Sequence, residues 1–544
     1  MKRNKHFYKA WMILACMLIA AMVLASCAPP APATSTQPAS TAPKSGGILK
    51  IGMRTVPPSL DTFTAGLTAA ATYALLKCYN LTLIRWDGKS DREAKVSPLA
   101  AKSWEISPDG LTYTFHLQEG LKWQNIPPVN GREVTADDWA YHFNRVANPE
   151  NKHPARTTLD MKSCQAVDKY TFKVTTNKKA PGFLAYIAGS TLAAIPKECV
   201  EAPGGVEKNW AGSGPFIMSE YDRGVKAIFK RNPDYFEKGK PYLDGVEIYF
   251  MTDDAARLAA FRAGTIDVLP SESKVNRDAI EKSVTGTQIQ DGVGMVEVGL
   301  LLNLKKEPFT NKQVRQALQY AIDYDGLISS AMDGGAIRTG YLAPWFAEWG
   351  GRQPADLPKR DVAKAKALLA EAGYPNGFKT TILQNTANMV MVGNAVEPIV
   401  AMLKEIGIEA TIVQADTAAF LSKWRAGNYD MTVWTCFTGR PYDPDNSIRQ
   451  QWHSKGAGNV AGYNNPKVDE LIAAQQDLFP DKEKRIAVVK QLLPILEDEV
   501  PAVPLYIMTN YYIKQPWVKG MDEIADPQAA LGLQVLPDVW IDKR

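Results

Sequence analysis

The stretch Leu24-Ala25-Ser26-Cys27 closes an apolar segment at the N-terminus, and it constrains where the rest of the chain can fold. Four basic residues, Lys2, Arg3, Lys5 and Lys9, precede an apolar run from Trp11 to Val23. A basic head, a short greasy core and small residues before a cut site follow the order of a secretion signal, here residues 1–26. The run falls short of the roughly 20 apolar residues that span a bilayer. The bulk of the chain is therefore expected to fold outside the cytoplasm.

The small pair Ala25-Ser26 directly before Cys27 resembles a bacterial lipobox, which implies that Cys27 is lipidated and becomes the first mature residue. Ala28 to Ser45 is nearly all Ala, Pro, Ser and Thr. Such a tract buries too little apolar surface to offset its ordering entropy, so residues 27–45 read as an extended tether. A tether makes sense between a lipid anchor in the membrane and a folded body.

Beyond it, Gly46 to Arg544 is long enough for two or more lobes with substantial cores. Four of the 62 basic residues lie in the signal segment, where there is no acid, so the remainder is balanced against the 58 acids. That balance offers no electrostatic case for nucleic acid. Besides Cys16 and Cys27, the cysteines are Cys78, Cys164, Cys199 and Cys436. No CxxC spacing occurs, which argues against zinc, and a Cys164–Cys199 bridge and free buried thiols both stay open.

Local patterns place the elements. Gly47 to Met53 alternates as a strand, followed by a Pro57-Pro58 turn and an apolar helix through Leu75. Trp104 to Gly110 reads as a hairpin turn before a strand with Leu111, Tyr113, Phe115 and Leu117 on one face. Thr135-Ala-Asp-Asp138 is a capping box opening a helix over Trp139 to Val146. Tyr170–Thr175 and Ala227–Lys230 read as strands. Farther on, Val314, Ala317, Leu318, Ala321 and Ile322 share one helical face, and Gly373 stops a helix that starts at Val362. Strands at Thr380–Leu383, Glu409–Val413 and Tyr429–Thr435 alternate with helices at Val396–Ile406 and Ala418–Ala426. That alternation predicts an α/β fold with a largely parallel or mixed sheet.

A series of short motifs then recurs in order. It runs through Gly212-Ser-Gly-Pro-Phe216, Lys230-Arg-Asn-Pro-Asp-Tyr235, Lys240-Pro-Tyr-Leu-Asp244 and Ala260-Phe-Arg-Ala-Gly-Thr-Ile-Asp267. It continues with Asn303, Pro308-Phe309, Val314-Arg-Gln-Ala-Leu318, Ala321-Ile-Asp323 and the run Lys364-Ala-Lys-Ala-Leu-Leu-Ala-Glu-Ala-Gly-Tyr-Pro375. Asp443-Pro-Asp445, Tyr463 to Asp469 and Val500-Pro-Ala-Val-Pro-Leu505 complete it. Each motif is weak alone, but in this order the chain resembles extracellular solute-binding family 5, the peptide and nickel class of receptors for ATP-driven importers. The resemblance implies a two-lobed periplasmic-binding-protein fold of class II, cluster C type, with mixed sheets, a hinge and an extra subdomain. The first lobe would take residues 46–294 with an insert near 91–205, and the second 295–497. Residues 498–544 would return to the first lobe. The implied function is a monomeric, non-catalytic receptor without cofactor. It would capture a small solute such as a peptide and hand it to the permease subunits.

The same resemblance points to a pocket at the end of the strand Tyr429–Thr435, where Trp434, Phe437, Arg440, Tyr442 and Asp443 are the candidates. Open α/β sheets bind ligands at the carboxyl ends of their strands. Thr64, after Leu60-Asp61, and Trp123, after Gly120-Leu-Lys, are the first-lobe candidates. Peptide binders of the family carry an aspartate three residues before the Asp-Pro pair, where it meets the ligand's ammonium. Here that position is Arg440, and no acid lies between Trp434 and Tyr442. An arginine favours a carboxylate, phosphate or carbonyl-rich ligand. A non-peptide anion or a metal chelate, with His453 as a ligand, is the alternative cargo. An extracellular hydrolase is a third reading, for which the chain shows no nucleophile elbow, carboxylate pair or HExxH.

Overall fold

A computed structural model describes residues 42–65, 70–86, 96–153, 155–271, 273–386, 392–437, 443–521 and 533–542. Cys27, Arg440 and Tyr442 lie outside them.

The first half begins with β1 (Ile48–Met53) and α1 (Ala70–Tyr79). The helix runs past the expected Leu75 because Cys78 and Tyr79 are also buried. A meander follows: β2 (Ala101–Ile106), β3 (Thr112–Leu117), α2 (Ala136–Ala147), β4 (Met161–Asp168) and β5 (Thr171–Thr176). These strands form their own antiparallel sheet in the order β2-β3-β5-β4. Alternation drives it: Tyr113, Phe115 and Leu117 are buried while Thr112, Thr114 and His116 are half-buried. Trp104 stands in β2 instead of the turn, which is confined to the residues around Gly110 (φ +72°). The Asp138 carboxylate accepts the Thr135 backbone N–H at 2.9 Å, so the expected capping box holds the start of α2.

Then come β6 (Phe216–Asp222), β7 (Lys226–Arg231), β8 (Gly245–Phe250), β9 (Val268–Ser271) and the long β10 (Gln288–Leu302). The second half adds α3 (Lys312–Ala321), β11 (Ala336–Arg338), α4 (Val362–Glu371), β12 (Lys379–Asn385) and α5 (Val396–Glu405). After these lie β13 (Glu409–Ala415), α6 (Thr417–Arg425), β14 (Met431–Phe437), α7 (Asp445–Trp452), α8 (Pro466–Asp477), α9 (Lys482–Glu499) and β15 (Ala502–Lys514).

One sheet runs through both halves in the order β13-β12-β14-β10-β15-β9-β1-β8-β7-β6, with β11 also on β15. It is mixed: β1 is parallel to β8, β12 is parallel to β13 and β14, and β10 is antiparallel to β14 and β15. The two long strands β10 and β15 carry the sheet from one half to the other. Their ladder breaks between Val293 and Glu297 and resumes at Glu297 opposite Ile507.

Side-chain alternation along β10 feeds two cores. Val298, Leu300 and Leu302 pack into one with Val314, Leu318, Ile399 and Met431. Leu301 points the other way, toward Tyr341, Phe346, Trp452 and Leu493. The first-half core is larger, and it includes Leu49, Ile51, Phe115, Trp139 and Phe172 together with Val518 and Leu536 from the C-terminal segment.

The Gly212-Ser-Gly-Pro-Phe motif has a local cause. A Cβ at Gly212 would stand 1.8 Å from the Tyr79 carbonyl oxygen, and one at Gly214 2.6 Å from its carbon. Only glycine lets this turn lie against the end of α1. There Gly214 N–H donates to Tyr79 O at 2.8 Å, and the buried Gln124 side chain donates to Tyr79 O and Phe216 O.

Candidate functional site

The candidate site lies at the carboxyl end of β14. Trp434 is half-buried there, with its ring 4.5 Å from Phe420 and 6.4 Å from Trp424 of α6. Its backbone pairs with Gly299 of β10, and Cys436 pairs with Glu297 two residues along. Directly opposite residues share a face of the sheet, so Glu297 stands on the face that carries Trp434. Phe437 ends the strand, paired with Val296.

Asp443 corrects an expectation. It is 5% exposed, and both its oxygens are held by the Arg485 guanidinium of α9, at 2.6 and 2.9 Å. Its Oδ1 also accepts the Asp445 backbone N–H at 2.9 Å. A carboxylate so engaged braces the end of the pocket segment and is not left facing a ligand. Trp123 is a second correction. It is 1% exposed within the first-half core, with Arg132 5.9 Å over its ring, so it is a packing residue. Spacing alone does not separate a core tryptophan from a pocket one.

Thr64 is exposed on the helical turn Thr62–Ala65. Its hydroxyl meets Ser59 Oγ at 2.6 Å and donates to Asp61 O at 3.2 Å. Nearby, Arg145 bonds Asp61 at 3.1 Å and lies 3.8 Å over the Phe63 ring. Phe63 in turn covers His153 at 4.5 Å and His142 at 6.4 Å. Burial pushes the His142 imidazole down to about 3 and His153 down to about 4, with His153 and Arg145 adding to the first shift and Arg145 to the second. These histidines are neutral packing groups.

A cavity of about 380 Å³ opens where the β4–β5 subdomain meets α7 and α8. Lys178, Lys179, Arg449 and Lys455 line it, with Asp160 and Asp445 as its acids. Lys179 Nζ donates to the carbonyls of Asp477 at 2.6 Å and Phe479 at 3.0 Å, and Phe479 packs into the first-half core. Asp445 is fully enclosed; burial raises its carboxyl above the usual range, and Arg449 at 3.7 Å opposes that rise. His453 also faces this cavity, but its Nδ1 accepts the Lys455 N–H at 3.0 Å, and Asp469 lies 3.6 Å away. Among the described residues no group of His, Cys, Asp or Glu has a metal-binding arrangement. Cys164 and Cys199 are both free buried thiols, so the bridge left open by the sequence is absent.

Sequence reasoning passed over three residues. Arg485 sits in the run Lys482-Glu-Lys-Arg485, which reads as a solvated helix start. Lys179 reads as a loop cation. Glu297 interrupts the otherwise apolar run Val293 to Leu302 in the second part of β10, and an acid inside that run was the available signal.

The mixed sheet shared through two long crossing strands, with an inserted antiparallel subdomain, defines the class: a two-lobed binding protein of the cluster C periplasmic type. Residues 95–459 match the bacterial extracellular solute-binding proteins, family 5 Middle, and the chain belongs to that family. Heme-binding protein A of Haemophilus influenzae is 29% identical over 456 residues, covering 78% of this chain and 81% of that protein. The dipeptide-binding protein of Escherichia coli is 28% identical over 493 residues, covering 86% and 89%. The structure of the binding protein DppA from Helicobacter pylori, in complex with peptide STSA, superposes with a TM-score of 0.74 at 25% identity. It covers 92% of this chain and 99% of that one. The chain is accordingly a non-catalytic, periplasmic or extracellular substrate-binding protein of an ABC import system.

Proposed function

We propose that this receptor captures a peptide or peptide-like solute bearing a carboxylate and delivers it to its permease while tethered through a lipid on Cys27. The cationic lining of the 380 Å³ cavity carries the reading: Lys178, Lys179, Arg449 and Lys455 outnumber Asp160 and Asp445. Fixed cations in a partly desolvated cavity favour an anionic group over water. Residues 46–294 and 498–544 form one lobe and 295–497 the other, with β10 and β15 as the crossings. The ladder break at Val293/Glu297 lets φ and ψ change there as the lobes close. The tether on Cys27 raises the receptor's concentration near the transporter. Support for the peptide class comes from the relatives, one of which is a dipeptide-binding protein and another a structure holding a peptide.

The test is calorimetry of the mature protein against di- and tripeptides and their C-terminal amides. The free acids are expected to bind at least about ten times more tightly. Equal binding of acid and amide, or binding of neither, overturns the reading. Globomycin treatment of cells, with the size of the exported chain as readout, tests the lipid on Cys27 separately.

A further inference from the structure

Glu297 is the odd group in the molecule. It is 5% exposed, yet among the described residues no hydrogen-bond donor or cation reaches its carboxylate. The other buried acids among the described residues are engaged: Asp138 by Arg132, Asp443 by Arg485, Asp445 by Gln475 and Arg449, Asp267 by Trp517 and the Lys50 N–H. A buried carboxylate is costly for a fold to hold unless a cation or hydrogen-bond donor meets it. Its place is as specific as its burial. It is the first residue of β10 after the ladder with β15 breaks, and it lies across from Cys436 near the carboxyl end of β14. It also shares a face with the half-buried Trp434.

We propose that Glu297 contacts the bound solute and receives its cationic nitrogen, an ammonium in a peptide-like ligand. This rests on the peptide reading above and deepens it. The missing acid before Asp443 is thereby supplied from the neighbouring strand, two positions from the residue paired with Trp434. Burial alone holds the free carboxyl well above its usual range, so a ligand cation is the group that would restore its charge. A carboxylate at the crossing strands also ties recognition to closure, since the strand that bends is the strand that touches ligand.

The test uses the mature full chain and its E297Q and E297D variants, titrated with dipeptides free of Lys and Arg and with their N-acetyl forms. The wild type is expected to prefer the free amine, and E297Q to lose about 10- to 100-fold for the amine while leaving the acetylated form unchanged. E297D should recover part of the preference. Ligand-free E297Q should also melt above the wild type, because a costly buried carboxyl is gone; a structural role predicts the reverse. A wild type that binds both forms equally, or an E297Q that keeps the preference, overturns the role of Glu297 and leaves the receptor reading standing. A wild type that binds no peptide in either form overturns both.

Discussion

The Asp443 carboxylate and the Arg485 guanidinium meet fork to fork, at 2.6 and 2.9 Å, with side-chain exposures of 5% and 2%. Arg485 also bonds the Gln475 side chain at 2.8 Å and lies 5.0 Å over the Trp349 ring. The pair joins α9 to the segment that follows β14. Arg485→Ala strands a buried carboxylate and is expected to cost about 3–5 kcal/mol, read as a fall in the urea midpoint. A loss below about 1 kcal/mol would show the pair to be solvated.

A contact between the halves can be tested in the same way. Lys179 caps the carbonyls of Asp477 and Phe479, while the Phe479 ring lies against Gly110, where a Cβ would approach to 2.9 Å. Lys179→Ala removes two hydrogen bonds, each worth about 0.5–1.5 kcal/mol. Gly110→Ala adds a clash at φ +72°. Both variants are expected to shift the ligand-free protein toward a more open form, with a larger radius of gyration in solution scattering and weaker ligand binding. Unchanged scattering in both would show that this contact does not hold the halves together.

What the sequence reveals follows from what is local. The β3 alternation, the Asp138 cap and the Val314–Ala321 face are written in neighbouring residues, and they fold as read. The pocket is different. Whether Trp123 is core or Trp434 half-open depends on elements far along the chain. So does the burial of Glu297, since a lone acid in an alternating strand ordinarily marks the solvated face. Arg485 is hidden by Gln475 of α8, Asp443 and the Trp349 ring, which no run of charges announces. Family motifs recovered the architecture because they record close backbone approaches, as at Gly212. They say less of the site, whose groups come from elements far apart in the chain.

That Gly212 approach gives a third expectation. A Cβ 1.8 Å from Tyr79 O cannot be accommodated by a side-chain rotation, because the obstacle is backbone. Gly212→Ala should therefore lower stability by about 3 kcal/mol or more in denaturant titration, although the substitution adds one methyl group. Gly182→Ala, where no atom lies within 4 Å of the added Cβ and φ is −80°, is the control for adding a methyl group without a clash.

His142 and His153 set the acid limit of the fold. Their imidazoles stay neutral down to about 3 and about 4 in the folded chain, against about 6.5 when unfolded. Below the unfolded value the unfolded chain binds protons that the folded chain refuses, so stability present above about pH 6.5 is lost as the pH falls. Each histidine contributes a slope of about 1.4 kcal/mol per pH unit, ending near pH 4 for His153 and near pH 3 for His142. Among the described residues neither ring nitrogen of His142 has a hydrogen-bond partner, whereas His153 Nδ1 accepts the Ala155 N–H at 3.1 Å. His142→Leu is therefore the cleaner probe. Its urea midpoint should fall less than that of the wild type between about pH 7 and about pH 4.5, the gap widening as acid is added. Parallel midpoints across that window would mean that His142 already binds its proton in the folded state.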